Sequence, residues 1–254
     1  MFLLVLLGLI LLHYSAASPV LFGFKTKDAA YLSATSQFEN QGGVVMQNSV
    51  EWITPLGDRM MVGIIGDTSD ADFLRRELEA ADVSHRLNFQ GQSLRCEAMA
   101  NFCRGIIARH LRGPNPLNVE CIIAGCGGSK GEEPTLFWLD SIGCIQKVEY
   151  GAFGKDSAIV LSTLDRCNRE YKFSEMVGYD LVSSESRMVI DSLLGPSKDG
   201  NRYIDDKESS GHPCKVIRAC WSAIRARSNT LAPPGTCQVK SVNGKRGFHL
   251  YDRV

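Results

Sequence analysis

The sequence predicts an α+β fold: a four-layer sandwich in which two β-sheets pack on each other between two layers of helix. Three observations predict it. The stretch Val62-Gly-Ile-Ile-Gly66-Asp67-Thr68-Ser69-Asp70 is an apolar strand that ends at a glycine and turns at once into a helix pattern. The chain then runs in the order strands, two helices, strands, helices, strands. Each helix carries a single apolar face, so each covers one sheet and leaves the sheets' other faces to bury each other.

Composition bounds the function before any motif does. The chain has 254 residues, 44% hydrophobic and 22% charged, with 28 basic residues against 28 acidic ones. A balanced charge supplies no field to attract nucleic acid or an anionic membrane. Nine cysteines are spread along the chain with no C-x-x-C pair. They read as small buried hydrophobes of a reducing compartment rather than a disulfide framework, Cys96, Cys103 and Cys220 falling on apolar helix faces. No His/Cys cluster has zinc spacing, so no metal or cofactor is expected.

Residues 1–17 read as an apolar leader or propeptide. Phe2 to Leu12 is an unbroken apolar run, followed by His13-Tyr14-Ser15-Ala16-Ala17-Ser18, like the core and small-residue cleavage site of a secretory signal. The run is short for a membrane span, and no Lys or Arg precedes it. Residues 18–254 read as one domain with a long insert at 166–212.

The elements follow in order. Val20 to Lys25 is a strand, Asp28 a turn and Ala29 to Ala34 a second strand, which makes a hairpin. Gln37 to Val50 is polar, with a turn at Gly42-Gly43. Arg59 to Ile65 is a buried strand. From Asp70 to about Phe89 the apolar positions Phe73, Leu74, Leu78 and Ala81 recur at helical spacing, with Asp70 where a carboxylate favours the helix dipole. Ser93 is the expected cap of a second helix whose stripe is Met99, Phe102, Cys103, Ile106, Ile107 and His110, stopped by Gly113-Pro114. His110 is read as a helix-end histidine, not a ligand.

Asn118 to Ala124 and Thr135 to Leu139 are the strands of a hairpin with its turn at Gly127–Gly131, and Asp140 and Gly143 punctuate its end. Gly151 to Gly154 reads as a loop; its Gly-x-x-Gly spacing is a weak phosphate-loop signal and a better turn. Ser157 to Leu164 fits strand or helix. Arg166 to His212, 47 residues, is charged and loop-like. Val216, Ile217, Cys220, Trp221 and Ile224 mark a further amphipathic helix. Cys237 to Val242 is a strand, Asn243-Gly244 a tight turn, and Phe248 to Tyr251 a last strand.

The order and residues resemble the beta subunits of the proteasome core particle, of the N-terminal-nucleophile hydrolase fold. The resemblance runs from about Pro19 to Val254. It rests on Leu21-Phe-Gly-Phe24, Val62-Gly-Ile-Ile-Gly66 with Asp70 and Leu74, Asn118-Val-Glu-Cys-Ile-Ile-Ala-Gly125, Leu136-Phe-Trp-Leu-Asp140 and Leu161-Ser-Thr-Leu-Asp165-Arg166. The last segment, and a first strand with almost no propeptide in the family pattern, look most like the non-catalytic fourth type of beta subunit. The insert departs from that type, and the sixth, also non-catalytic, carries an extension in a similar place.

An active member of such a family exposes an N-terminal threonine whose hydroxyl attacks a peptide carbonyl, with its own α-amine as base. The resemblance implies an aspartate after the second strand and a lysine about sixteen residues on. Here Ala34 and Thr35 stand at the first register, and Val45-Met46-Gln47-Asn48 at the second, with Gln47 the replacement. A glutamine supplies no positive charge to support the nucleophile. Asp165 alone matches an active-site carboxylate, and as a helix-end residue it needs no catalysis to explain it. Cleavage after Ala17 would expose Ser18 near the nucleophile register, but Pro19 follows it and removes a strand donor. No catalytic, metal or cofactor residue is therefore assigned.

The leading reading is a non-catalytic subunit that shapes a seven-membered beta ring, stacked with other alpha and beta subunits, in the complex that degrades ubiquitin-tagged and unfolded proteins. The resemblance implies cytoplasm and nucleus, with no nucleic-acid partner and no stable membrane insertion. Two alternatives stand beside it: an active hydrolase using Ser18 after leader removal, and a secreted binding protein on the same fold.

Overall fold

The computed structural model describes residues 19–35, 38–39, 45–47, 50–57, 59–126, 133–176, 213–227, 237–243 and 247–251. The leader, the Gly42-Gly43 and Gly127–Gly131 turns, and most of the 166–212 stretch lie outside them.

Two five-stranded antiparallel sheets form the centre. The first contains β1 (Leu21–Lys25), β2 (Ala29–Thr35), β10 (Tyr150–Phe153), β11 (Cys237–Asn243) and β12 (Gly247–Tyr251), in the order β10-β1-β2-β11-β12. The second contains β5 (Ile53–Leu56), β6 (Met60–Gly66), β7 (Val119–Cys126), β8 (Pro134–Leu139) and β9 (Ile145–Val148), in sequence order. A small separate ladder pairs β3 (Phe38–Glu39) with β4 (Val45–Gln47). Four helices are described: α1 (Thr68–Asn88), α2 (Cys96–Leu111), α3 (Ser157–Tyr171) and α4 (Pro213–Arg227).

Period-two alternation sorts the strand side chains into layers. In β2, Ala29 and Tyr31 pack with Val160, Leu164, Val216 and Cys220 of α3 and α4, while Ala30, Leu32 and Ala34 point the other way. In β6, Met60, Val62 and Ile64 pack against Leu74 and Leu78 of α1 and Cys103 and Ile107 of α2, while Met61 and Ile65 point back. The inward sets join in one cluster between the sheets, with Leu21, Ile122 and Leu136. Gly63 sits opposite Leu21 there; a Cβ would lie 2.5 Å from Leu21 Cδ1, so the sheets approach because the side chain is absent.

The strand–turn–helix at Val62–Asp70 forms as the sequence predicts. Gly66 has φ 131°, and a Cβ on it would run into the Asn118 carbonyl, so glycine suits this turn. Asp67 is the N-cap, its carboxylate accepting from Ser69 N at 2.9 Å. Those bonds from Ser69, hydroxyl first and amide second, hold the Asp67 carboxyl below its usual value. Asp70 in the first turn accepts from Asn118 N at 2.9 Å and ties the helix start to β7.

Several expectations are corrected. Gly151 to Gly154 is not a loop: Tyr150–Phe153 is β10, paired with β1 from Leu21↔Phe153 to Phe24↔Tyr150. Ser93 does not cap the second helix. Arg95 stands at the N-cap and makes no side-chain cap bond. Phe73 and Phe102 leave the buried stripes and are 39% and 40% exposed; Phe73 instead meets the His110 ring edge-on at 5.2 Å. Ser157 to Leu164 is helix, and α3 continues through Arg166 to Tyr171, with Phe173 and Met176 buried in the same core beyond it. Asp165 is therefore mid-helix. The edge strands β5 and β9 were missed in the sequence.

The passage from β9 to β10 takes one residue. Val148 pairs with Leu136 in one sheet, Tyr150 pairs with Phe24 in the other, and the carbonyl of Glu149 between them accepts from Lys25 N at 2.9 Å.

Candidate functional site

The place to look for a nucleophile is the start of β1, between the sheets. Ser18 lies outside the described residues, but Pro19 and Val20 are buried. Val20 and Thr35 hold each other. Thr35 N donates to Val20 O at 3.0 Å, and Val20 N donates to Thr35 Oγ1 at 3.2 Å. Gly154, with φ 97°, passes against the Pro19 carbonyl so closely that a Cβ would collide with it. The chain entering β1 is thus pinned on both flanks by backbone.

The predicted positions divide. Ala34 is fully buried and turns its methyl into the layer between the sheets. Thr35 spends its hydroxyl on the Val20 amide. Neither supplies the carboxylate that the register calls for. Gln47 is on β4, opposite Phe38, and its side chain lies outside the described residues.

Asp165 is not brought to this place. Its Oδ1 accepts from the Tyr150 hydroxyl at 3.1 Å, and its Oδ2 pairs with Arg169 one helical turn on. Tyr150 lies beside Phe24, three residues and about 10 Å along β1 from Leu21. Burial, and then the Asp165 carboxylate, push the Tyr150 hydroxyl above its usual value. Such an arrangement braces β10 against α3; it does not polarise a group at the head of β1.

Sequence reasoning missed Lys240. Its side chain is fully buried, and Nζ donates to Glu51 Oε1 at 2.5 Å and to the Ile53 carbonyl at 2.6 Å. The signal was present: Val239 and Val242 bracket it, and alternation puts Lys240 on the Val242 side, between the sheets. Also missed was the buried bond from Trp221 Nε1 to Ser33 Oγ.

Among the described residues, the buried cysteines are held as thiols by packing. Among the described residues seven are free, six of them buried and Cys144 exposed. Burial pushes the Cys96 and Cys126 thiols up to about 12. Cys103 and Cys121 face each other with their sulfurs 3.6 Å apart in the helix-side core, and the Cys121 thiol is held well above its usual value by that contact and then by burial. Among the described residues no group of three or more His, Cys, Asp or Glu could hold a metal ion, and no helix is long and apolar enough to cross a membrane.

Comparison with known proteins agrees with the fold. Residues 17–185 match the proteasome subunit family. A beta type-2-A proteasome subunit of Arabidopsis thaliana is 36% identical over 148 residues, covering 57% of this chain and 71% of that protein. A probable beta type-4 proteasome subunit of Neurospora crassa is 29% identical over 147 residues, covering 58% and 71%. The beta type-4 proteasome subunit of Saccharomyces cerevisiae is 24% identical over 200 residues, covering 74% and 97%. With the two-sheet core, the strand–turn–helix at Gly66 and these relatives together, the chain belongs to the proteasome subunit family, among its beta subunits.

Proposed function

We propose that this chain is a non-catalytic beta subunit of the proteasome core particle. It fills one place in a seven-membered ring stacked with other alpha and beta subunits, in cytoplasm and nucleus, and contributes shape to a complex whose catalytic threonines belong to other chains. The observation that carries this reading is the pair Ala34–Thr35: a fully buried methyl and a hydroxyl already bonded to Val20 occupy the carboxylate register. Gln47 in the lysine register supports it. A nucleophile placed at the head of β1 would lack the charges that lower its barrier.

The architecture behind the proposal is a four-layer αββα sandwich of the N-terminal-nucleophile type. Three separate apolar clusters support it, one between the sheets and one under each helix pair. Residues 18–254 form the single domain, with a long insert within 166–212, and residues 1–17 are its leader or propeptide. This reading calls for no cofactor, metal or nucleic acid.

The test is native affinity purification of the full chain with a C-terminal tag, followed by particle sizing and mass spectrometry. A particle far larger than one 27.9 kDa chain, holding other alpha and beta subunits, is the expected result. In that particle Ser18→Ala leaves peptidase activity unchanged. A lone processed chain, or activity lost with Ser18, overturns the proposal.

A further inference from the structure

Lys240 has no place in the reading above, and it is the most unusual buried group described. Its strand, β11, lies inside its sheet between β2 and β12, with Lys240 opposite Leu32. Its side chain enters the layer between the sheets, whose other members include Leu32, Ala34, Ile53 and Val242. An ammonium in apolar surroundings costs several kcal/mol unless it is paired and hydrogen-bonded. The pairing here comes from Ile53 of the opposite sheet and Glu51 just before it, 187 and 189 residues earlier in the chain.

The acceptors are as informative as the donor. β5 is the edge of its sheet. Ile64 N donates to the Trp52 carbonyl at 3.0 Å, so antiparallel alternation turns the next carbonyl, that of Ile53, away from β6 toward the open edge. Lys240 meets that carbonyl. It also draws in Glu51, whose side chain is 53% exposed. The bond is specific to one register of β11. A one-residue slip would swing Lys240 to the helix side, and a two-residue slip would put Gln238 or Val242 opposite Leu32.

We propose that Lys240 is a latch that makes the docking of the C-terminal β11–β12 hairpin and the seating of Val50–Ile53 mutually dependent. Each side depends on the other: without β11 the Ile53 carbonyl loses its buried donor and the half-exposed Glu51 carboxylate is left to water, and without Val50–Ile53 a buried ammonium is stranded between the sheets. The last strands of the chain therefore fix the seating of Val50–Ile53 at the start of β5.

The test is amide hydrogen exchange, read by mass spectrometry, on the full-length chain isolated natively with whatever subunits accompany it. Lys240→Met keeps the length and removes the charge. The expected result is faster exchange, by roughly 10-fold or more, in peptides from residues 50–56 and 237–243 together, with α2 and β7 unchanged. Glu51→Gln keeps an acceptor and the Ile53 bond, so both segments loosen together by a smaller factor. Loosening of β11 alone, or of neither segment, in Lys240→Met overturns the latch. If Lys240→Met yields no folded chain, Glu51→Gln decides: joint loosening supports the latch, and a change confined to the peptide holding residue 51, or none, overturns it.

Discussion

Trp221 on α4 donates its indole N–H to Ser33 Oγ on β2 at 3.1 Å, in a site closed to solvent. The ring also lies 5.6 Å from Phe22, so one side chain joins α4 to two strands. Ser33→Ala leaves the indole N–H buried without this acceptor and costs about 1–3 kcal/mol. In a Trp221→Phe background the same substitution costs less, because the donor is already gone. Chemical denaturation of the four chains of that cycle measures the difference.

Gly63 and Leu21 share one space between the sheets. Gly63→Ala forces a methyl against Leu21 and destabilises by about 1–3 kcal/mol. Leu21→Ala alone leaves a cavity and costs about 2–5 kcal/mol. The double substitution costs less than the two added, since the new methyl enters the vacated volume. An additive pair, measured by urea midpoints, would mean that the sheets re-space freely.

Thiol chemistry separates Cys144 from the rest. Alkylation needs thiolate. With their thiols pushed up to about 12, Cys96 and Cys126 are ionised in roughly 1 molecule in 10⁴ at pH 8, and they are also out of reach. Iodoacetamide on the native chain therefore labels Cys144 well before Cys96, Cys103, Cys121, Cys126, Cys167 and Cys220. In denaturant all nine cysteines label at comparable rates. Peptide mapping by mass spectrometry reads both states.

Tyr150 carries a pH signature. Its folded value is raised, first by burial and then by Asp165, so the folded state holds this proton more tightly than the unfolded chain. The resulting stability is fully present below the unfolded value near 10 and is lost as pH rises above it through the folded value. Asp165→Asn removes the charge and lowers the Tyr150 midpoint. Tyrosinate absorbance of the variant against the parent gives the shift, and an unmoved midpoint would assign the whole effect to burial.

Where local chemistry and tertiary packing agreed, the sequence was readable. α1 announces itself through Gly66, Asp67 and the Leu74–Leu78 spacing. β10 was lost because two glycines in four residues look like a loop. In the fold, Gly151 is a strand residue; a Cβ there would come within 3.1 Å of Trp138. β5 was lost because Thr54-Pro55 breaks the alternation, which an exposed position on an edge strand tolerates. Ser93 sits in a good capping pattern, yet its hydroxyl lies under the turn at Gly57. The same division holds at the candidate site. That Ala34, Thr35 and Gln47 carry no charge is plain from the sequence. The distance of Asp165 from the head of β1, and the burial of Lys240, depend on which strands become neighbours.

The one-residue passage at Glu149 has a mechanical consequence. Both sheets are gripped on either side of that residue, so sliding one over the other would stretch a link with no slack. The two plates of the sandwich share a seam. A pull on β9 along its strand would therefore reach β10, and through it β1, across a single residue.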